Sequence, residues 1–140
     1  MTTIPKIPDE IPKIVVALLD GRRVKGYSFN FSPLKESFDL FPPEKPLLNQ
    51  GTRVEIKDVK AVFFVKDFAG NAGYGESQLV EALGPGVHLE IIFADGEKIV
   101  GKTLGYKPEK LGFFVIPVDP ESNNARIFVV SKNARQITTI

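Results

Sequence analysis

Ile14-Val15-Val16-Ala17-Leu18-Leu19-Asp20-Gly21-Arg22-Arg23-Val24-Lys25-Gly26 and Leu89-Glu90-Ile91-Ile92-Phe93-Ala94-Asp95-Gly96-Glu97-Lys98-Ile99-Val100-Gly101 are the two stretches that decide the fold. They lie 75 residues apart, Gly96 against Gly21. Each reads as an apolar strand, an Asp-Gly turn and a second strand broken by a glycine. Asp-Gly between apolar runs is the strongest short hairpin signal, because both residues tolerate the turn's positive φ. The mid-strand glycines, Gly26 and Gly101, mark a bulge or sharp bend of the kind a small barrel needs to close.

Working outward, the same offset aligns residues 14–44 with 89–119 without a gap. Pro33 falls on Pro108, Lys35 on Lys110, Phe38 on Phe113 and Pro42 on Pro117. The matched positions are mostly glycine, proline and apolar, the types that set backbone shape and core, so the two halves share a fold. Each half then reads as five short strands. In the first half they are 14–19, 22–31, 38–41, 53–57 and 61–65. In the second they are 89–94, 97–106, 113–116, 126–130 and 135–140. Short, bent, tightly turned strands predict a small barrel rather than a flat sheet.

The fold expected is therefore all-β. It has an extended arm over 1–13, a first barrel over 14–68, a linker over 69–86 and a second barrel over 87–140. Pro5, Pro8 and Pro12 keep the arm extended. Ser77–Leu83 fits two helical turns, capped by Ser77 and stopped by Gly84-Pro85.

Composition narrows the function. A chain of 140 residues with 43% hydrophobic and 25% charged residues is an ordinary globular protein. Its formal net charge of +1 supplies no global field toward nucleic acid or membrane. With no cysteine, thiol catalysis, disulfides and thiolate metal sites are excluded. The amino terminus lacks the pattern of a leader peptide, and no apolar run approaches the ~20 residues of a membrane helix. A cytoplasmic location is the expectation.

Several motifs suggest chemistry. Gly96-Glu97-Lys98-Ile99-Val100-Gly101-Lys102-Thr103 matches the phosphate-binding P-loop pattern letter for letter. That loop needs a helix after it, to aim amides at the phosphates. Leu104-Gly105-Tyr106-Lys107-Pro108 cannot start one, and the first half repeats the same glycine frame without the Lys-Thr. The match is a turn and a bend. Gly70–Gly75 is glycine-rich but lacks the strand-to-helix setting of a dinucleotide site. His88 is the only histidine and has no neighbouring ligand in sequence. Asp20, Gly21, Asp95 and Gly96 are turn residues, so the aspartates are not read as a catalytic pair. No catalytic, cofactor or metal constellation emerges, and the chain is read as a non-enzyme.

With these strands placed, each half resembles the Sm-like/SH3-like small barrels. The likeness rests on Val15–Arg22, the bend at Gly26 and Phe38-Asp39-Leu40. The second half is also similar to uncharacterised bacterial modules with Asp-Gly, Gly-Phe-Phe and Asn-Asn before a closing strand. Sm-like proteins bind RNA through a polar residue and an asparagine after the bend. This chain instead has Ser32-Pro33-Leu34 and Lys107-Pro108-Glu109 there. PilZ-type barrels bind cyclic dinucleotides through spaced arginines, whereas Arg22-Arg23 is adjacent.

The reading is a non-catalytic binding or assembly module that takes a protein partner or itself. A single-stranded nucleic-acid binder is the alternative, and a cyclic-dinucleotide barrel the remote one. The residues singled out for interaction are Arg22, Arg23, Lys25 and Tyr27, together with Phe63 and Phe64 on the 61–65 strand. That strand is either a free edge with an exposed aromatic or is buried between the barrels.

Overall fold

The computed structural model describes residues 11–70, 86–103, 105–119 and 121–140. Among them the chain is all-β. The strands are β1 (Lys13–Leu18), β2 (Arg23–Tyr27), β3 (Ser37–Leu40), β4 (Thr52–Glu55), β5 (Val59–Val65), β6 (His88–Phe93), β7 (Lys98–Thr103), β8 (Gly112–Pro117), β9 (Asn124–Val130) and β10 (Ala134–Thr139). Single 3-10 turns cover Pro46–Leu48, Ile56–Asp58 and Ser131–Asn133. No helix among the described residues is long and apolar enough to cross a membrane. The linker segment Ser77–Leu83 and most of the amino-terminal arm lie outside the described residues. Lys13, read as the end of the arm, begins β1 instead.

Eight strands form one antiparallel sheet in the order β10-β6-β7-β8-β9-β5-β1-β2, and β3 pairs with β4 in a second, two-stranded sheet. Adding 75 to the start of β1, β2, β3 or β5 gives the start of β6, β7, β8 or β10. The turn bonds follow the same offset. Leu18 N–H donates to Arg22 C=O as Phe93 N–H does to Glu97 C=O, and Ile56 N–H to Glu36 C=O as Ser131 N–H does to Leu111 C=O.

Two local details depart from expectation. The Asp-Gly turns are three-residue loops rather than two-residue ones. Gly21 N–H bonds back to Leu18 C=O, and only the glycine takes positive φ, 95° at Gly21 and 89° at Gly96. That is a type I turn closed by a glycine bulge. Second, β2 stops at Tyr27 rather than running to residue 31. Phe31 turns inward instead, and its ring meets those of Phe38, Phe64 and Phe128 edge-on.

The halves join through β5 and β9, which pair from Ala61↔Val129 to Val65↔Asn124. Alternation along each strand sends side chains to opposite faces. Val62, Phe64, Phe128 and Val130 enter a core with Ile14, Val16, Phe38, Leu40, Ile56 and Val59. Ala61, Phe63, Ile127 and Val129 enter the other, with Leu89, Ile91, Phe93, Ile99, Phe113 and Val115. The sheet's centre is thus a wall between two cores, and the runs Ala61–Val65 of β5 and Ile127–Val130 of β9 are uninterruptedly apolar because each is covered on both faces.

Candidate functional site

Equivalent elements surround two different interiors. In the second half β7 and β8 pair at Gly101↔Pro117, Lys102↔Ile116 and Thr103↔Val115. In the first half β2 and β3 meet only at the Tyr27↔Phe41 bridge. Two features of the sequence open this seam. Pro43, where the second half has Val118, offers no N–H to a neighbouring strand. Asn30 takes up the other end: its Oδ1 accepts the Asp39 N–H at 2.9 Å, and its Nδ2 donates to the Asp39 carboxylate at 3.0 Å.

The result is a cleft of about 950 Å³ between β1–β2 and β3–β4. Val16, Leu18, Val24, Leu40 and Val54 form its apolar lining, and Asp20, Arg22, Lys25, Asn49, Gln50, Thr52, Arg53, Glu55 and Asp58 its polar lining and rim. The offset shows what keeps it open. Leu18, Val24, Thr52 and Val54 correspond to Phe93, Ile99, Ile127 and Val129, all of them buried core residues. Val24 is 37% exposed where Ile99 is 8% exposed. Smaller or polar residues line the first interior, and β4 has only β3 beside it.

Of the residues singled out from sequence for interaction, Arg22 and Lys25 lie on the cleft and the others fall elsewhere. Arg22 is held by Asp20 at 2.7 Å, Arg23 by Glu97 at 3.3 Å, and the Lys25 ammonium by the Phe68 carbonyl at 2.6 Å. Arg23 also sits over the Phe63 ring, and Tyr27 packs edge-on against Phe68. The basic residues are therefore spent on internal partners, and only Arg22 and Lys25 touch the cleft. Phe63 and Phe64 are 5% and 4% exposed, and β5 is paired on both sides, by β1 and β9. The idea of a free 61–65 edge is corrected: the segment is the interior wall, because β9 occupies the edge that β1 leaves.

Lys60 lies beside them. Its side chain is buried on β5, yet its ammonium reaches the Asp95 carboxylate at 2.8 Å, bonds Glu97 and lies 4.7 Å from the Phe93 ring centre. The Lys60 ammonium and the Glu97 N–H together hold the Asp95 carboxyl below its ordinary range. Asp20, its counterpart, is lowered by the backbone N–H and guanidinium of Arg22. Lys60, Asp95 and Glu97 fasten the β6–β7 turn to the first half and lie outside the cleft, whereas Asp20 and Arg22 stand on its rim. Among the described residues no cluster of three or more His, Asp or Glu side chains could hold a metal ion. His88 opens β6 with its Nε2 buried and unpartnered.

The chain matches, over residues 11–140, the profile of DUF6982, a family of unknown function, and belongs to that family. Comparison with curated proteins and with solved structures finds no match.

Proposed function

We propose that the protein is a non-catalytic binding or assembly module built of two small barrels that share the β5–β9 wall. The open first barrel is its binding half and the filled second barrel its support. The observation that carries this reading is the contrast at equivalent positions. Thr52 and Val24 stand at the mouth of an open cleft where Ile127 and Ile99 close a core. An apolar floor ringed by polar groups suits an amphipathic partner. The β4 edge beside it offers unpaired main-chain groups for strand addition.

The test borrows the second half's residues. Thr52→Ile with Val24→Ile should narrow the mouth of the cleft, raise the melting temperature and reduce the binding of anilinonaphthalene sulfonate that the folded wild-type chain shows. If the folded wild type binds none of the dye, or the double variant binds as much, the cleft is not an accessible apolar site and the reading fails.

A further inference from the structure

Resting on that reading, we infer that the occupant of the β4 edge is β10 of a second copy of the chain, docked in the register that joins β5 to β9 within one copy. The inner junction pairs the fifth strand of one half with the fourth strand of the other. That leaves one fourth strand, β4, and one fifth strand, β10, each with a single neighbour. The chain thus carries both sides of a contact it makes once internally, and copies can continue it head to tail.

The offset turns this into a register. Phe63↔Ile127 and Ala61↔Val129 become Thr138↔Thr52 and Gln136↔Val54. Inside the chain, apolar residues face each other across a dry core. Between copies the same positions carry the hydroxyls of Thr138 and Thr52 and the amide of Gln136, with Val54 apolar and Ile137 opposite Arg53, a more polar set that suits the cleft wall formed by Asn49, Gln50 and Thr52. Thr–Thr pairs are favourable cross-strand partners. One step further, Arg135 falls opposite Glu55, giving opposite charges across the junction. The contact between copies is more polar than the internal one, so it forms and breaks while the internal one stays closed.

One position opposes it. At the inner junction Asn133 Nδ2 donates to the carbonyls of Lys57 and Val59, at 3.1 and 2.7 Å. Its counterpart between copies is Asp58, whose carboxylate would face the carbonyls of Lys132 and Ala134 with no proton to give. Asp58 therefore weakens the contact.

The experiment is light scattering on the size-exclusion peak of the full 140-residue chain, from low to high concentration. The wild type should gain mass with concentration. Asp58→Asn, which supplies the missing donor, should lower the association midpoint about tenfold. Glu55→Arg and Arg135→Glu should each associate less when alone and recover when mixed, because each then supplies the other's opposite charge. Circular dichroism melting confirms that both are folded. A wild type and an Asp58→Asn variant that stay monomeric overturn the second copy as occupant. So does an oligomer indifferent to the charge exchange. Dye binding by such a monomer would leave the cleft standing and only this occupant refuted.

Discussion

At the scale of single residues, the two glycines of each half do different work. Gly21 and Gly96 close the turns at positive φ in open space, where a Cβ would meet nothing within 4 Å. Gly26 and Gly101 lie flat in β2 and β7, and a Cβ there would drive into the carbonyl oxygens of Phe41 and Ile116. The first pair is a matter of conformation, the second of space. Gly21→Ala should therefore cost about 1 kcal/mol, the usual penalty for a left-handed alanine. Gly26→Ala must push backbone from backbone and should cost about 3 kcal/mol or more. Urea unfolding of the two variants, with equal slopes, would show the order. A smaller loss at Gly26 than at Gly21 would mean that β2 and Phe41 are not this close.

At the scale of elements, the β6–β7 hairpin is fastened to β5 by a lysine inside the sheet. Removing Lys60 leaves Asp95 and Glu97 without their cation, but both keep access to water, so the loss is smaller than for a fully buried pair. Lys60→Met should destabilise by about 1–2 kcal/mol at neutral pH. The pH dependence follows from the direction of the shift. Asp95 titrates lower in the folded chain than its ordinary 3.8. Its stabilising contribution is therefore complete above that value and is lost as pH falls through the folded one. The gap between wild type and Lys60→Met should be widest near neutrality and shrink in acid; a gap constant with pH would remove Asp95 from the account.

The hairpins, the bend glycines and the repeat were legible in the sequence because each is dictated locally or by self-comparison. The β5–β9 pairing was not, since strand partners are chosen over long range. Its trace was nonetheless present. Ala61–Val65 and Ile127–Val130 are uninterrupted apolar runs, the pattern of strands covered on both faces. The cleft was equally within reach of the alignment, as Thr52 against Ile127, but the match of glycines and prolines hides differences between the residues that line the interiors.

At the scale of the molecule, the shared wall decides whether the halves can live apart. The linker between them suggests two units that fold alone. The cores argue otherwise: Phe128 and Val130 belong to the second half by sequence and to the first half's core by contact, and Ala61 and Phe63 the reverse. Cutting the chain in the linker would expose these four side chains together with an edge of β5 and of β9. The three larger ones are worth about 1.5–3 kcal/mol each, at the upper bound set by an extended unfolded chain. Their sum, roughly 5–9 kcal/mol, is comparable to the whole stability of a small domain. A half of this size starts with less margin still. Fragments 1–70 and 86–140 should therefore each be unfolded alone by circular dichroism and regain strand signal when mixed. A fragment that melts cooperatively by itself would show that its own core suffices, and that the wall is a docking surface between two finished domains.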